Sequence, residues 1–80
     1  MDLHLFQGEF TAQDTLDLIV QLINVKIKYH ENKILKNNNE EDTKYRESRI
    51  KLLQLELAAL KSEIAHKDKN LKVSAIIHVE

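Results

Sequence analysis

The chain has 80 residues, a formal net charge of −1 and no cysteine, which leaves room for one small domain without disulfide bonds, thiol catalysis or thiolate metal sites. Hydrophobic residues make up 42% of the sequence, a share typical of a globular protein and not of a disordered tail. No uncharged apolar run of about 18 residues is present, and no basic segment followed by an apolar stretch opens the chain, so we expect a cytoplasmic protein with neither a membrane span nor a signal peptide.

The first predicted element is a short strand at residues 2–7. Apolar Leu3 and Leu5 alternate with polar Asp2 and His4, which is the period of a strand. Gly8 follows and predicts a flexible or turning position before the first helix.

A helix is predicted at residues 12–36. Thr11, with Asp14 three positions later, resembles a capping box and predicts the helix start. At about 100° per residue the apolar side chains form two stripes instead of one. One stripe contains Leu16, Ile19, Val20, Ile23, Ile27, His30 and Ile34, and the other contains Leu18, Leu22, Val25 and Tyr29.

Three asparagines predict a turn at residues 37–39, with Asn39 as the cap of a second helix at residues 40–67. This helix also has two apolar stripes. One contains Ile50, Leu53, Leu57, Leu60 and Ile64, at a spacing suited to packing against another helix, and the other contains Leu52, Leu55 and Ala59. The larger stripe of each helix is part of what we call the first seam. The smaller stripe of each helix is part of what we call the second stripe.

The last predicted element is a strand at residues 71–79, where the apolar period returns to two. The order is therefore strand-helix-helix-strand, an α+β fold in which a long antiparallel helical hairpin brings the two strands together as an antiparallel ribbon. A plausible register places Leu5 opposite Ile77 and His4 opposite His78.

A two-stranded ribbon is marginal by itself, and so small a chain usually needs an additional source of stability. We therefore expect a homodimer or higher oligomer, in which two ribbons pair edge to edge or two hairpins form a four-helix bundle. Either arrangement would make the second stripe a contact between copies. The predicted interface residues are Leu18, Leu22, Val25, Tyr29, Leu52, Leu55 and Ala59.

Motifs for chemistry are weak in this sequence. Glu63 and His66 have the Glu-x-x-His spacing of di-iron bundles, but the further inward carboxylates are missing, so a surface pair is the better interpretation. His4 and His78, if opposed, would supply only two metal ligands, and His30 is best interpreted as a partly buried imidazole with a hydrogen-bond partner. A single glycine excludes glycine-rich phosphate loops. We predict no catalytic residue, cofactor or metal, and no enzyme.

The leading functional hypothesis is a small non-enzymatic interaction protein with a regulatory or host-modulating role, which associates with itself and binds another macromolecule. An alternative is a binder of a small anionic ligand such as a nucleotide, in a pocket between subunits lined by Lys26, His30, Lys33 or Arg49. A nucleic-acid accessory protein is the weakest candidate, because acidic residues neutralise the basic ones locally. No membrane binding is expected, because the apolar faces resemble packing surfaces.

Overall fold

A computed structural model describes residues 1–36, 38–67 and 69–80 of the chain. The elements follow the order β1 (Asp2–Phe10), α1 (Ala12–Lys36), α2 (Glu40–Ile64) and β2 (Leu71–His78), and the two strands pair antiparallel. The predicted α+β order of strand, helix, helix and strand is confirmed. Asn37, in the predicted turn, and Asp68 lie outside the described residues.

Side-chain caps define the start of both helices. The Thr11 hydroxyl accepts a hydrogen bond from the Asp14 backbone N–H at 3.0 Å, and the Asn39 side chain accepts one from the Asp42 backbone N–H at 3.0 Å. Each cap satisfies one of the N–H groups that the first turn of a helix leaves without an internal partner. Both caps agree with the sequence prediction, and α1 has the predicted bounds.

Helix α2 ends three residues before the predicted end. The Ala65 N–H donates to the Lys61 carbonyl in the helical manner, but the Lys67 N–H donates to the Ile64 carbonyl, one residue closer along the chain. This tighter bond ends the helix before His66. Glu63 therefore lies in the last turn of α2 and His66 beyond its end, and both side chains are exposed.

The ribbon differs from the predicted strand and register. β1 continues to Phe10, and Gly8 lies inside the strand opposite Val73 with a φ of 145°, a conformation that favours glycine. The observed pairs include Leu3 with Ile77, and the two histidines are not opposed: His4 lies opposite Ile76, and Asp2 lies opposite His78.

An extra residue in β1 explains part of the difference between the predicted and the observed register. Between His4 and Phe6 the pairing shifts by one position, so Leu5 is the additional residue of a β-bulge. At the other end β1 runs directly into the Thr11 cap, with Phe10 opposite Leu71. Beside the helix the pairs are thus offset by one position from the predicted register, and the bulge adds a second position at the far end.

The first seam forms the core of the hairpin. Leu53 and Ile64 are each 7% exposed, and every other residue of the first seam is buried or half-buried. The ribbon lies against α1, and no strand residue comes within 8 Å of α2 by Cα distance in the described part of the chain. The strand pair thus covers one end of the hairpin and leaves most of its length open.

Candidate interaction surface

The second stripe lies on the surface of the chain. Val25 is 69% exposed, Leu55 63% and Tyr29 54%, while Leu22 and Leu52 are about two-fifths exposed. Ala59 is also exposed, and Leu18 is half-buried. The structure therefore separates the two predicted stripes of each helix into one that packs within the chain and one that is largely exposed.

The second stripes of the two helices belong to the same side of the hairpin. In each helix the second stripe is rotated from the first seam by about 140° in the same sense. Because the helices are antiparallel and their first seams face each other, equal rotations bring both second stripes out on one side. Counting along the helices from the contact of His30 with Arg46, Leu22 lies level with Leu55. The second stripe thus lies on one side of the hairpin, as one row of side chains on each helix.

The overall dimensions show how much surface the chain leaves uncovered. Its accessible surface is 6485 Å² for a mass of 9.4 kDa, whereas a compact monomer of this mass has about 5,000 Å². Its radius of gyration is 15.2 Å, whereas a compact domain of this length has about 12 Å. Both comparisons describe an open chain with too little covered area for its size.

A polar cluster occupies the hairpin near its turn. His30 is 7% exposed, and its Nδ1 lies 3.1 Å from Nη1 of Arg46, whose Nε donates to Asp42 at 2.9 Å. The Tyr29 ring lies beside this cluster, with the Arg46 guanidinium 5.8 Å and the Lys33 amine 5.6 Å from its centroid. Arg46 therefore links α2 to α1 through two contacts, one with His30 and one with the Tyr29 ring.

The Arg46 contact determines the tautomer of His30. An arginine side chain has only donors, so Nδ1 must accept the hydrogen bond and the neutral ring carries its proton on Nε2. Nε2 is buried and has no hydrogen-bond partner among the described residues. Burial lowers the pKa of His30 below its ordinary value of 6.5, and the charges of Arg46, Lys26 and Arg49 lower it further. The ring is therefore held neutral within a cationic neighbourhood.

The structure brings together most of the residues that the sequence nominated for an anionic ligand. Lys26 and Arg49 lie near enough to His30 to influence its pKa, and Lys33 contacts the neighbouring Tyr29. Arg46 was not nominated, although it makes the direct contact with His30. Two signals could have identified Arg46. It lies four residues after Asp42 on the same helix, and an antiparallel hairpin places it opposite His30.

The described residues contain no group of three or more histidine, aspartate or glutamate side chains that could hold a metal ion. No helix in the same residues is long and apolar enough to cross a membrane. At the end of the ribbon, Nδ1 of His78 contacts the carboxylate of Asp2, and Nε2 lies 3.7 Å from that of Glu80. The predicted opposition of His4 and His78 is replaced by this histidine–carboxylate contact.

Comparisons with known proteins do not add a family to these observations. No family model, no curated protein and no solved structure matches the chain. The functional argument therefore depends on the chain's own residues.

Proposed function

We propose that this protein is a small, non-enzymatic, homo-oligomeric interaction protein whose copies associate through the second stripe, and which acts by binding another macromolecule. The observation that carries the proposal is a second apolar surface, on both helices, that the chain itself leaves exposed. Exposed apolar patches of this kind are typical of interaction sites.

A second copy of the chain is the occupant that the dimensions favour. The accessible surface exceeds that of a compact monomer by roughly 1,500 Å², and a stable protein interface buries about 800 Å² on each partner. Copies packed through the second stripe would form a helical bundle, and each would gain the second layer of structure that small domains require. The excess is therefore large enough for self-association.

Light scattering coupled to size exclusion tests this proposal across a tenfold range of concentration. The wild-type chain, 9.4 kDa as a monomer, is expected to elute as a dimer or a larger closed assembly of constant mass. Leu55→Glu should reduce the mass below that of the wild type, because it places a charge within the contact.

Leu35→Glu is the matched control, because Leu35 is 84% exposed and lies outside both apolar stripes. It should keep the wild-type mass. A monomeric wild type, or equal masses for Leu55→Glu and the wild type, would contradict the role of the second stripe.

A second candidate is the binding of a small anion, such as a nucleotide, between subunits. It is favoured by the concentration of Lys26, Lys33, Arg46 and Arg49 around His30 and Tyr29. Thermal shifts against a nucleotide panel test it: a rise of several degrees for one nucleotide, abolished in Arg49→Gln, would support the site. A flat panel would leave macromolecular binding as the proposal.

A further inference from the structure

The two outer edges of the ribbon differ in regularity. The edge of β1 is interrupted by the bulge at Leu5 and by the unusual backbone of Gly8. Bulges of this kind twist an edge and make it a poor template for another strand. β2 has eight successive residues, Leu71–His78, and contains no extra residue in its pairing with β1. The edge of β2 is therefore the one suited to pair with a further strand.

Hydrogen bonds at the chain termini show which residues of β2 face that edge. The Val79 N–H donates to the Met1 carbonyl at 2.8 Å, and the Met1 amine donates to the Val79 carbonyl at 2.8 Å. Val79 thus directs its backbone groups toward β1. Because this direction alternates along a regular strand, the even-numbered residues of β2 direct their backbone N–H and C=O groups away from β1. These residues are Lys72, Ser74, Ile76 and His78.

The outward backbone groups are open to a partner. In the described part of the chain, none of these four residues makes a hydrogen bond through its backbone on the outer side. The four residues are all exposed. A row of unpaired backbone donors and acceptors, in regular alternation, is the surface to which an additional β-strand binds.

We infer that the free edge of β2 pairs antiparallel with β2 of a second copy, and that the two ribbons form one four-stranded sheet in the order β1-β2-β2-β1. A sheet of this size exceeds the roughly three strands needed for independent stability, which the ribbon alone lacks. The inference concerns a different surface from the second stripe and does not depend on it.

Symmetry and the direction of the backbone groups determine the register. The half-buried residues Leu71, Val73 and Ala75 lie on one face of the ribbon. A two-fold axis perpendicular to the sheet keeps this face on the same side in both copies, so odd-numbered residues must oppose odd-numbered ones. With Ala75 opposite the Ala75 of the other copy, all four outward-facing residues exchange hydrogen bonds. With Ser74 at the centre His78 would have no partner within β2, and with Ile76 at the centre Lys72 would have none.

Charge complementarity favours the same register. It places Lys72 of one copy opposite His78 of the other. The carboxylates of Asp2 and Glu80 already lie beside that His78. The Lys72 ammonium would therefore meet a negatively charged corner, and the symmetry provides this contact twice.

Single cysteines test the pairing, since the chain has no other cysteine. In Ala75→Cys the two Cα atoms would lie about 4.5 Å apart, as in a non-hydrogen-bonded pair, which is within the range of a disulfide. Mild oxidation should therefore double the apparent mass in a non-reducing gel. Val73→Cys is the matched control on the same face, because its counterpart would lie several residues away along the neighbouring strand. It should remain at the mass of one chain.

Ser74→Pro supplies the second variant, because it removes an outward N–H that β1 does not use. In the Ala75→Cys background it should abolish the disulfide, while circular dichroism retains the helical signal. The inference is overturned if Ala75→Cys does not form the disulfide, if Val73→Cys forms it equally, or if Ser74→Pro leaves it unchanged. Absence of the disulfide in a protein that remains dimeric by light scattering would reject the sheet edge and retain the second stripe as the contact.

Discussion

The first seam and the second stripe have the same kinds of side chain and different environments. Leu53 and Leu55 are two positions apart on α2, yet Leu53 is 7% exposed and Leu55 is 63% exposed. Each belongs to a row of apolar residues at helical spacing. Periodicity therefore identifies which residues share a face, while the partner of that face depends on how the helices meet.

The largest expected effect comes from Leu53→Ala in the first seam. Truncation of a buried leucine leaves a cavity and lowers the free energy of unfolding by about 2–5 kcal/mol. Urea denaturation followed by circular dichroism measures this loss, which should be similar at low and high protein concentration.

Two further truncations complete the comparison. Leu35→Ala, at a residue 84% exposed and outside both stripes, should change stability by less than about 0.5 kcal/mol. Leu55→Ala should lower stability by an amount that depends on protein concentration, since its contact is proposed to lie between copies. If Leu55→Ala lowered the free energy of unfolding as much as Leu53→Ala, and equally at all protein concentrations, the second stripe would not be a contact between copies.

The next effect concerns the start of α2, on which the hairpin depends. Asn39→Ala removes the side chain that accepts from the Asp42 N–H, and should lower the free energy of unfolding by about 1 kcal/mol. The loss should not vary with protein concentration, because the cap lies within one chain. Asn38→Ala, one residue before the cap, is the control and should have a smaller effect in the same urea titration.

The smallest effect is a pH dependence located in the first seam. The pKa of His30 is lowered in the folded chain below its value of 6.5, so between the two values the unfolded chain binds more protons. Stability should therefore be complete above about pH 6.5 and fall as the pH decreases toward the folded pKa. The midpoint of urea unfolding, compared at pH 7.5 and 5.5, measures this change.

His30→Leu should reduce that pH dependence, and His66→Leu should preserve it, because His66 lies on the surface beyond α2. An unchanged pH dependence in His30→Leu would show that the buried ring is not its source. The second stripe contains no histidine, so a pH dependence that His30→Leu removes belongs to the first seam.

Much of the fold could be predicted from the sequence because its signals are local. Thr11 and Asn39 are capping residues that act on an N–H three positions away, and both helix starts follow from them. The separation of the apolar residues into two stripes requires only the helical repeat. The end of α2 was less predictable, because the charged and apolar pattern continues past the tighter turn at Lys67.

The ribbon and the polar cluster could be predicted only in part. Alternation identified both strands, but it could not show that Gly8 continues β1 or that Leu5 is an additional residue. The buried position of His30 was predicted from its stripe. Its bond to Arg46 was not, since it depends on the relative level of two helices separated by a turn.

The sequence by itself determined the two helices, their caps and the presence of two apolar surfaces, because these properties depend on residues within a few positions of one another. The tertiary structure decided which surface is covered, which imidazole is held neutral and which strand edge is left open. Those outcomes depend on how distant segments meet: the bulge at Leu5 disrupts one edge of the ribbon, and the pairing of β2 with β1 leaves the outward backbone groups of β2 at the other edge.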